Sequence, residues 1–593
     1  MINRLMKLLL PIIVLITPLY ANTYVVAESG GDFTSIQDAI NTAVAGDTIL
    51  VKEKSEPYSE LISFVRSGNE SDGYIVLMAY PGEHPVIDAT NVNLGGSWRV
   101  GIVSIVNKNY IEINGFEIRN LITSDGDKFP AGIWVLGKSH DIRILNNKIH
   151  NIEHHDSDAG AHGLAVYGTY ASSSIHNLLI QGNEIYNCIL GWSESLVLNG
   201  NVENFVVKEN VVHDNDNIGY DFIGFEGTCS DEQYDRARNG VVVDNIAYNI
   251  DSRTNPAYGG DGSADGFYVD GGKDILFERN TAFNCNIGFE FASEHGGKTT
   301  ENITARNNYI FSNHYVGLAI GGYDSQRGST VNCKIVNNTF YHNGTENDWG
   351  GEFYIQYYCQ NNVFKNNIIY ASGNVPIFDY YNTSGEGFEI NNNLYFSDGG
   401  HLWIWQGTYY NEFSQYSEAT GNDGNSVYSN PQFDSNSLQN NIPEITQDSP
   451  AINKGETLST DIIGETDFCG NTRVIGDTVD IGACEYQHSS AVNENITPEN
   501  FVLYPPYPNP FNPVTTIEYS IPNVWAKNFS SQQNIQLKIY DELGREISTL
   551  VDKKQSPGLY KIKFNAMNLS SGLYFCVLKA GMKTITTKMI LLK

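Results

Sequence analysis

An asparagine recurs along this chain at nearly regular intervals, each time just after a short run of β-forming residues. Each interval is 26 to 36 residues long. A repeat of this length with strand-like sequence indicates a solenoid, in which strands pair with their counterparts one coil away. We expect the side-chain amides to form a ladder along the stack, at a turn whose left-handed backbone asparagine tolerates. The nine positions are Asn147, Asn183, Asn210, Asn245, Asn280, Asn308, Asn338, Asn367 and Asn393.

Length and charge narrow the class of protein and its partners. The chain has 593 residues, too many for one compact core, but a solenoid has no such limit. The formal net charge of −32 argues against nucleic acid and anionic membrane surfaces as partners. It leaves an anionic sugar polymer open, because local basic loops or bound cations can reverse the sign.

The N-terminus has the pattern of an export signal. Arg4 and Lys7 precede an apolar run over residues 8–19, which is too short to span a membrane as a helix. We therefore predict a signal peptide over residues 1–21, no transmembrane segment, and an exported, monomeric protein. Outside the cytosol disulfides can form, and we expect Cys469 to pair with Cys484 across a short segment. Cys188 and Cys285 are expected in equivalent core turns.

The solenoid is predicted over residues 22–487. It opens with an amphipathic helix in GGDFTSIQDAINTAVAGDTILVK, becomes less regular over residues 398–450, and ends at SPAINKG…VDIGACEY. With the asparagine-bearing coils, these motifs resemble the secreted right-handed parallel β-helix proteins of the pectate-lyase-like superfamily. The resemblance implies an all-β solenoid fold. It does not imply one reaction, because the superfamily contains lyases, hydrolases, epimerases and adhesins.

The last part of the chain has a different pattern. Residues 488–500 are polar and are predicted to be a linker, and residues 501–593 alternate strands with turn residues, as in a small β-sandwich. The phrases PNPFNP and KMILLK occur in this segment, which resembles the C-terminal sorting domain of the type IX secretion system. The resemblance implies type IX secretion machinery as a partner and a secreted or surface-attached protein.

A second repeat gives a strand register. A glycine opens a short strand in seven coils, and the first and third residues after it are mostly apolar and should face the interior. The second and fourth residues should then face solvent on one sheet. The coil at Gly191 does not fit, because Glu194 would face inward. The glycines are Gly132, Gly163, Gly191, Gly219, Gly266, Gly288 and Gly317.

This register gathers carboxylates on three consecutive coils. We estimate about 8 Å between the Cα atoms of Asp270 and Glu290 and about 9.6 Å between those of Asp221 and Glu290. Such pairs suit acid/base hydrolysis of a glycosidic bond. The leading hypothesis is a secreted polysaccharide hydrolase with catalytic Asp270 and Glu290, assisted by Asp221. The predicted substrate-binding residues are Trp134, Tyr167, Tyr268, His162, Lys273, Glu294 and His295.

Other interpretations of the same residues remain open. Asp261 and Asp265 could help to bind calcium as a cofactor, and a lyase would then use Lys273 or His295 as its base. DGSADGFYVDG is similar to calcium-binding stretches of some pectate lyases, but IGFEFASEH in the next coil departs from their pattern. The protein could also be a glycan-binding adhesin without activity, or the carboxylates a merely solvated face. The histidines of NIEHHDSDAGAHG are expected to contact substrate or shape a loop.

Overall fold

The structure is a computed structural model that forms two compact units, divided between Gln487 and His488. It describes residues 21–346, 349–373, 375–400, 402–476, 478–487, 501–504, 506–521, 533–541, 545–555, 558–567, 569–580 and 583–591. The predicted signal peptide, apart from its last residue, and the predicted linker lie outside these ranges. Among the described residues no helix is long and apolar enough to cross a membrane.

The first unit is a right-handed parallel β-helix, as predicted, built from three long sheets. Sheet A contains β1 Thr23–Val26, β2 Thr48–Val51, β4 Ile75–Ala79, β7 Ile111–Asn114, β10 His140–Leu145, β13 Ile175–Gln181, β16 Val202–Lys208, β19 Arg238–Val243, β22 Lys273–Glu278, β25 Thr299–Glu301, β26 Thr304–Arg306, β29 Ser329–Val331, β30 Lys334–Val336, β33 Cys359–Gln360, β34 Val363–Lys365 and β37 Glu389–Asn391.

Sheet B contains β5 Val86–Asp88, β8 Glu117–Thr123, β11 Lys148–His154, β14 Glu184–Tyr186, β17 Val211–Asn215, β20 Ile246–Ile250, β23 Thr281–Phe283, β27 Tyr309–Phe311, β31 Thr339–Tyr341, β35 Ile368–Ala371, β38 Leu394–Ser397 and β41 Val427–Tyr428. Sheet C contains β3 Ile62–Ser63, β6 Arg99–Val106, β9 Phe129–Gly137, β12 His162–Gly168, β15 Leu196–Gly200, β18 Tyr220–Ile223, β21 Asp265–Asp270, β24 Ile287–Ala292, β28 Val316–Ile320, β32 Gly351–Ile355, β36 Phe378–Tyr380, β39 Trp403–Trp405 and β40 Thr408–Tyr410. A typical coil contributes one strand to each sheet in the order A, B, C.

The asparagine ladder forms between sheets A and B. Each ladder side chain from Asn147 to Asn367 donates a hydrogen bond to the side-chain oxygen of the next ladder asparagine, at 2.9–3.1 Å. The predicted left-handed backbone belongs to the preceding residue instead, for example Asn146 at φ 54°. The ladder position must face inward to reach its neighbours, so the residue before it makes the turn.

The start of the solenoid is capped as predicted. Helix α1 (Ile36–Thr42) begins after Ser35, whose hydroxyl accepts a hydrogen bond from the Asp38 amide at 3.2 Å. The Glu60 carboxylate accepts from the first two helix amides, at 2.8 and 3.0 Å. Because these bonds satisfy the free end of the helix, its apolar face can close the core with Ile36, Ala39 and Ile40.

The irregular C-terminal part of this unit includes short helices α2 (Phe413–Thr420), α3 (Ser435–Leu438) and α4 (Thr460–Ile463). We expected SPAINKG…VDIGACEY to end the solenoid, but residues 456–480 lie beside earlier coils. The asparagines that directly precede three ladder positions donate side-chain hydrogen bonds to backbone oxygens of this segment, at 2.9–3.1 Å. Asn307 donates to Ile463, Asn337 to Asp480 and Asn366 to Glu456.

The expected states of the cysteines in this unit are found. Cys469 and Cys484 form a disulfide. Cys188 and Cys285 are free and buried, and the backbone amide of each donates to an asparagine side chain, of Asn215 and Asn313 respectively. They therefore occupy equivalent turns.

The second unit has two antiparallel sheets that share an apolar core. One sheet contains β42 Val502–Leu503, β43 Val514–Ile521 and β46 Gly558–Asn565, and the other contains β44 Gln533–Asp541, β45 Glu546–Gln555, β47 Gly572–Ala580 and β48 Lys583–Leu591. This arrangement is a small β-sandwich.

Candidate active site

Three residues stand side by side on the outer face of sheet C. Asp221 of β18 lies opposite Tyr268 of β21, which lies opposite Glu290 of β24. Asp270 stands two residues beyond Tyr268 and lies opposite Ala292. Because strand side chains alternate in direction, Asp270 points to the same face as the other three. The strands therefore bring the three predicted catalytic carboxylates to one surface.

The coil at Gly191, which did not fit the glycine repeat, has its sheet C strand further along the chain. In that coil the sheet C strand is β15, and Val197 lies opposite Asp221 on the outer face. Gly191 lies in a bend with a left-handed φ of 58°. Glu194 thus precedes the strand, and its backbone carbonyl accepts a hydrogen bond from the buried His162 imidazole at 3.0 Å. An irregular turn therefore separates Gly191 from the start of its strand, whereas the glycines of the other coils lie within or directly before theirs.

The outer face of sheet C is not open to solvent at this point, contrary to our expectation. Asp221, Asp270 and Glu290 are only 2%, 4% and 7% exposed. The Glu294 amide, in the turn after β24, donates to Asp270 Oδ1 at 2.7 Å. Gln356, just after β32, donates to Glu290 Oε1 at 2.6 Å. Turns that follow the strands thus cover the carboxylates, which periodicity within the strands could not predict.

Seven acidic side chains meet here and are called the acidic cluster. Five of them were singled out in the sequence, and Glu194 and Glu226 were missed. The Glu226 carboxylate accepts a hydrogen bond from Asn199 of β15 at 2.7 Å. Glu226 lies in a loop and Glu194 precedes β15, so the register of no strand points to either residue. The members are Glu194, Asp221, Glu226, Asp265, Asp270, Glu290 and Glu294.

Burial and mutual repulsion change how these groups hold protons. Burial raises the pKa of Glu290 to about 7, although the amide of Gln356 stabilises its ionised form. Burial, followed by the charges of Glu194 and Asp270, raises the pKa of Asp221 well above its usual range. Burial, followed by the charge of Glu294, does the same for Asp270. Burial thus favours the protonated forms of Asp221 and Asp270, and it brings the pKa of Glu290 close to neutral pH.

Asp221 also has an oxygen that is free to interact with a ligand. Its Oδ1 is buried and has no hydrogen-bond partner among the described residues. An unsatisfied buried oxygen of this kind costs about 1–3 kcal/mol. A bound substrate or cation that supplies the missing interaction would recover that free energy.

The predicted sugar-stacking residues mostly lie beneath the surface. Trp134 is 1% exposed, and its ring packs edge-on against His162 and Tyr167. Tyr167 is buried and its hydroxyl contacts His162 Nε2 at 3.2 Å. Burial lowers the pKa of His162 to about 3, so this histidine is neutral. These residues support the Glu194 side of the cluster, and in this structure they offer no open ring face to a sugar. Arg99 covers the rings of Trp134 and Tyr167.

Tyr268 is also buried, at 4% exposed, and its hydroxyl donates to Glu294 Oε1 at 3.4 Å. Other aromatic side chains expose their rings instead. Trp192 is 54% exposed and packs against Tyr258, at 5.1 Å between ring centroids. Trp349 is 40% exposed.

The two proposed lyase bases have different surroundings. Lys273 begins β22 in sheet A, and its ammonium pairs with Glu301 at 3.2 Å. We expected Lys273 at the edge of the carboxylate surface, but the turn after Asp270 carries it to the neighbouring sheet. His295 stays near the cluster, with Nε2 at 4.0 Å from Asp270 Oδ2.

Three side chains are close enough together to share a metal ion. One ligand atom each from Glu226, Asp270 and His295 lies within 4.8 Å of the others. The set includes a nitrogen donor, which suits transition metals better than calcium. Asp261, predicted as a calcium ligand with Asp265, is exposed and is not part of this set, whereas Asp265 is 2% exposed within the acidic cluster.

The sequence of this chain has a recognisable relative. The uncharacterized protein YwoF of Bacillus subtilis (strain 168) is 37% identical over 403 residues, which cover 68% of this chain and 84% of YwoF. The chain belongs to the YwoF family. A family of unknown function, DUF1565, also matches residues 65–226.

The C-terminal unit matches a secretion-system C-terminal sorting domain over residues 506–592, which confirms the predicted domain. The protein is therefore secreted through the type IX system, with the cell surface as its destination.

Several solved structures also align with the chain. The pectate lyase Pel9A is 15% identical and covers 79% of this chain and 96% of its own, with a TM-score of 0.37. The mannuronan C-5 epimerase AlgE4 A-module of Azotobacter vinelandii is 14% identical and covers 66% and 93%, with a TM-score of 0.38. An alginate lyase from Paenibacillus sp. str. FPU-7 is 13% identical and covers 57% and 99%, with a TM-score of 0.37. The family assignment rests on YwoF and not on these structures.

Proposed function

We propose that the protein is a secreted enzyme that hydrolyses glycosidic bonds in a neutral polysaccharide. The observation that carries this proposal is that Asp221 and Glu290 stand on one outer column of sheet C. They are two coils apart, with Tyr268 between them. Their Cα atoms are about 9.6 Å apart at the usual strand spacing. From such Cα positions the side chains can bring the two carboxyl groups to the roughly 6.5–9.5 Å that is typical of inverting glycosidases, which place a water molecule between one carboxylate and the sugar.

The reaction needs one protonated and one ionised carboxyl, and burial favours the protonated form of Asp221. Glu290, whose ionised form is stabilised by Gln356, accepts a proton from water as the water oxygen attacks the anomeric carbon. The glycosidic C–O bond breaks, and the leaving oxygen takes the proton held by Asp221. Asp270 is held in place by the Glu294 amide, and its carboxyl can accept a hydrogen bond from a hydroxyl group of the sugar. The pair expected from the sequence was Asp270 and Glu290 with Asp221 assisting, and this proposal gives Asp221 the place of Asp270 in the pair.

The charge of the cluster supports a neutral substrate. Seven acidic groups line one site, and the chain carries a net charge of −32. The ionised members of the cluster and the net charge of the chain would repel a polyuronate unless cations neutralised them. A neutral polymer has no such requirement, and its hydroxyl groups can donate to the carboxylates.

The product chemistry tests this proposal. We expect the purified protein to release new reducing ends from at least one neutral polysaccharide, such as a xyloglucan, a galactomannan or a mixed-linkage β-glucan, without forming unsaturated ends that absorb in the ultraviolet. Unsaturated products from pectate or alginate would show a lyase instead. Binding without any product would show an adhesin.

The three side chains that are close enough to share a metal ion favour a second candidate function, that of a cation-dependent lyase. Glu226, Asp270 and His295 would hold the ion, which would neutralise the carboxylate of a uronate substrate. This candidate predicts that EDTA abolishes activity and that a divalent cation restores it. The hydrolase predicts that EDTA leaves the rate of reducing-end formation unchanged.

A further inference from the structure

The outer column that carries Glu290 continues along sheet C to another set of polar and aromatic residues. Glu290 lies opposite Ala319, Ala319 opposite Tyr354, and Tyr354 opposite Asp379. Three coils therefore separate Glu290 from Asp379, about 14 Å along the solenoid axis. Ala319 is small, so no large side chain of this column separates Glu290 from Tyr354.

A pocket with one open aromatic wall lies at the far end of this path. It has a volume of about 180 Å³, and Trp349, Asp379 and Ile404 are among its lining residues. The Trp349 ring is 40% exposed and is fixed from behind by stacking on Tyr315, with 5.2 Å between centroids and 12° between planes. Tyr354 packs against Trp349 at 5.8 Å. The indole is thus held in one orientation with part of its surface uncovered.

Asp379 provides a polar group in the same pocket. Its Oδ1 is buried and has no hydrogen-bond partner among the described residues, and burial raises its pKa to about 6. An apolar ring face beside an unsatisfied oxygen is the combination that binds a sugar, since C–H groups stack on the ring and a hydroxyl donates to the carboxylate. The volume suits a single sugar ring.

Tyr354 lies close enough to both the pocket and Glu290 to be affected by the charges of both. Burial raises the pKa of Tyr354, and the neighbouring Tyr381 and the charges of Asp379 and Glu290 add to that rise. The Tyr354 hydroxyl therefore lies within electrostatic reach of both carboxylates. One extended ligand lying on this column could reach both places.

We propose that Trp349 and Asp379 form a sugar-binding subsite for a distant ring of the same neutral polysaccharide that is cleaved near Glu290. This inference rests on the proposed function for the identity of the ligand. It assigns the polymer a direction along the solenoid axis, across successive coils of sheet C. It also makes the enzyme selective for chains long enough to span the three coils.

The test compares long and short substrates of the full-length enzyme. For Trp349→Ala we expect KM for the polymer to rise about tenfold with kcat unchanged, because stacking on the ring binds the substrate and its transition state equally. The shortest oligosaccharide that the enzyme cleaves should be unaffected, since it does not reach the subsite. Asp379→Asn should raise KM in the same direction. Tyr170→Ala removes an aromatic side chain of similar exposure, 41%, from the turn after β12 and should change nothing.

A binding measurement separates this proposal from the proposed function. In affinity gel electrophoresis with xyloglucan, galactomannan and mixed-linkage β-glucan, we expect the wild type to be retarded by at least one polymer and Trp349→Ala to be retarded much less. This result would support the subsite even if no bond were cleaved. Equal retardation of the two proteins, or equal KM values for the polymer, would overturn the subsite while leaving hydrolysis near Glu290 untouched.

Discussion

At the scale of single residues, the environment of Glu290 controls the behaviour of the site. Burial raises its pKa to about 7, while the Gln356 amide donates to it at 2.6 Å and holds the pKa lower than burial alone would. Glu290 must be ionised to accept a proton from water. The rate of hydrolysis should therefore rise with pH through about 7, and it should fall again at the pH where Asp221 loses its proton.

This gives a test with a matched control. In Gln356→Leu the lost hydrogen bond no longer favours the ionised carboxylate, so the acid limb of the kcat/KM profile should move to higher pH by roughly one unit. Gln360→Leu alters an exposed glutamine four residues further along the same coil and should leave the limb in place. An unchanged limb in the Gln356 variant would mean that another group supplies the base.

At the scale of elements, the asparagine ladder fixes the stacking of the coils. Asn245 donates to the Val207 carbonyl at 2.9 Å and to Asn280 at 3.0 Å, and it accepts from the backbone and side chain of Asn210. Asn245→Leu leaves these buried partners unsatisfied. We expect the free energy of unfolding to fall by roughly 3–5 kcal/mol, because each orphaned group costs about 1–3 kcal/mol.

The control lies on the same coil. Asn249 is exposed, has a left-handed φ of 53°, and bonds to Asp214 at 2.9 Å. Glycine tolerates that backbone, so Asn249→Gly should cost about 1 kcal/mol or less. Denaturant unfolding of the three proteins measures the difference. If the two variants lost similar amounts of unfolding free energy, the ladder would contribute no more to stability than the exposed contact between Asn249 and Asp214.

The strands and turns also show which features of the fold and of the site could be predicted from the sequence. The period of the asparagines and the alternation within strands predicted the solenoid, the ladder and the common face of Asp221, Asp270 and Glu290. The same reasoning gave no register for the coil at Gly191, because an irregular bend there moves the glycine away from the strand. It also missed Glu226 and the turns that cover the carboxylates, because the positions of loop side chains depend on tertiary contacts and show no periodicity in the sequence.

At the scale of the whole molecule, the two units have separate cores and separate tasks. A chain ending at Gln487 lacks the sorting domain but keeps every contact within the solenoid. We expect it to melt at the same temperature as the solenoid in the full chain, and to stay in the periplasm of a host that has type IX secretion. Fractionation and calorimetry measure the two properties. Export of the shortened chain to the cell surface would contradict the role of residues 506–592.

The most direct test of the central claim is the rate of polysaccharide cleavage after removal of single carboxylates. On a polymer that the wild type depolymerises, Asp221→Asn and Glu290→Gln should each lower kcat by at least about 100-fold, since positioned acids and bases contribute that much or more. Asp261→Asn, a nearby exposed carboxylate outside the cluster, should keep full activity. Wild-type rates in the Asp221 and Glu290 variants would contradict the claim that these two groups cleave the bond.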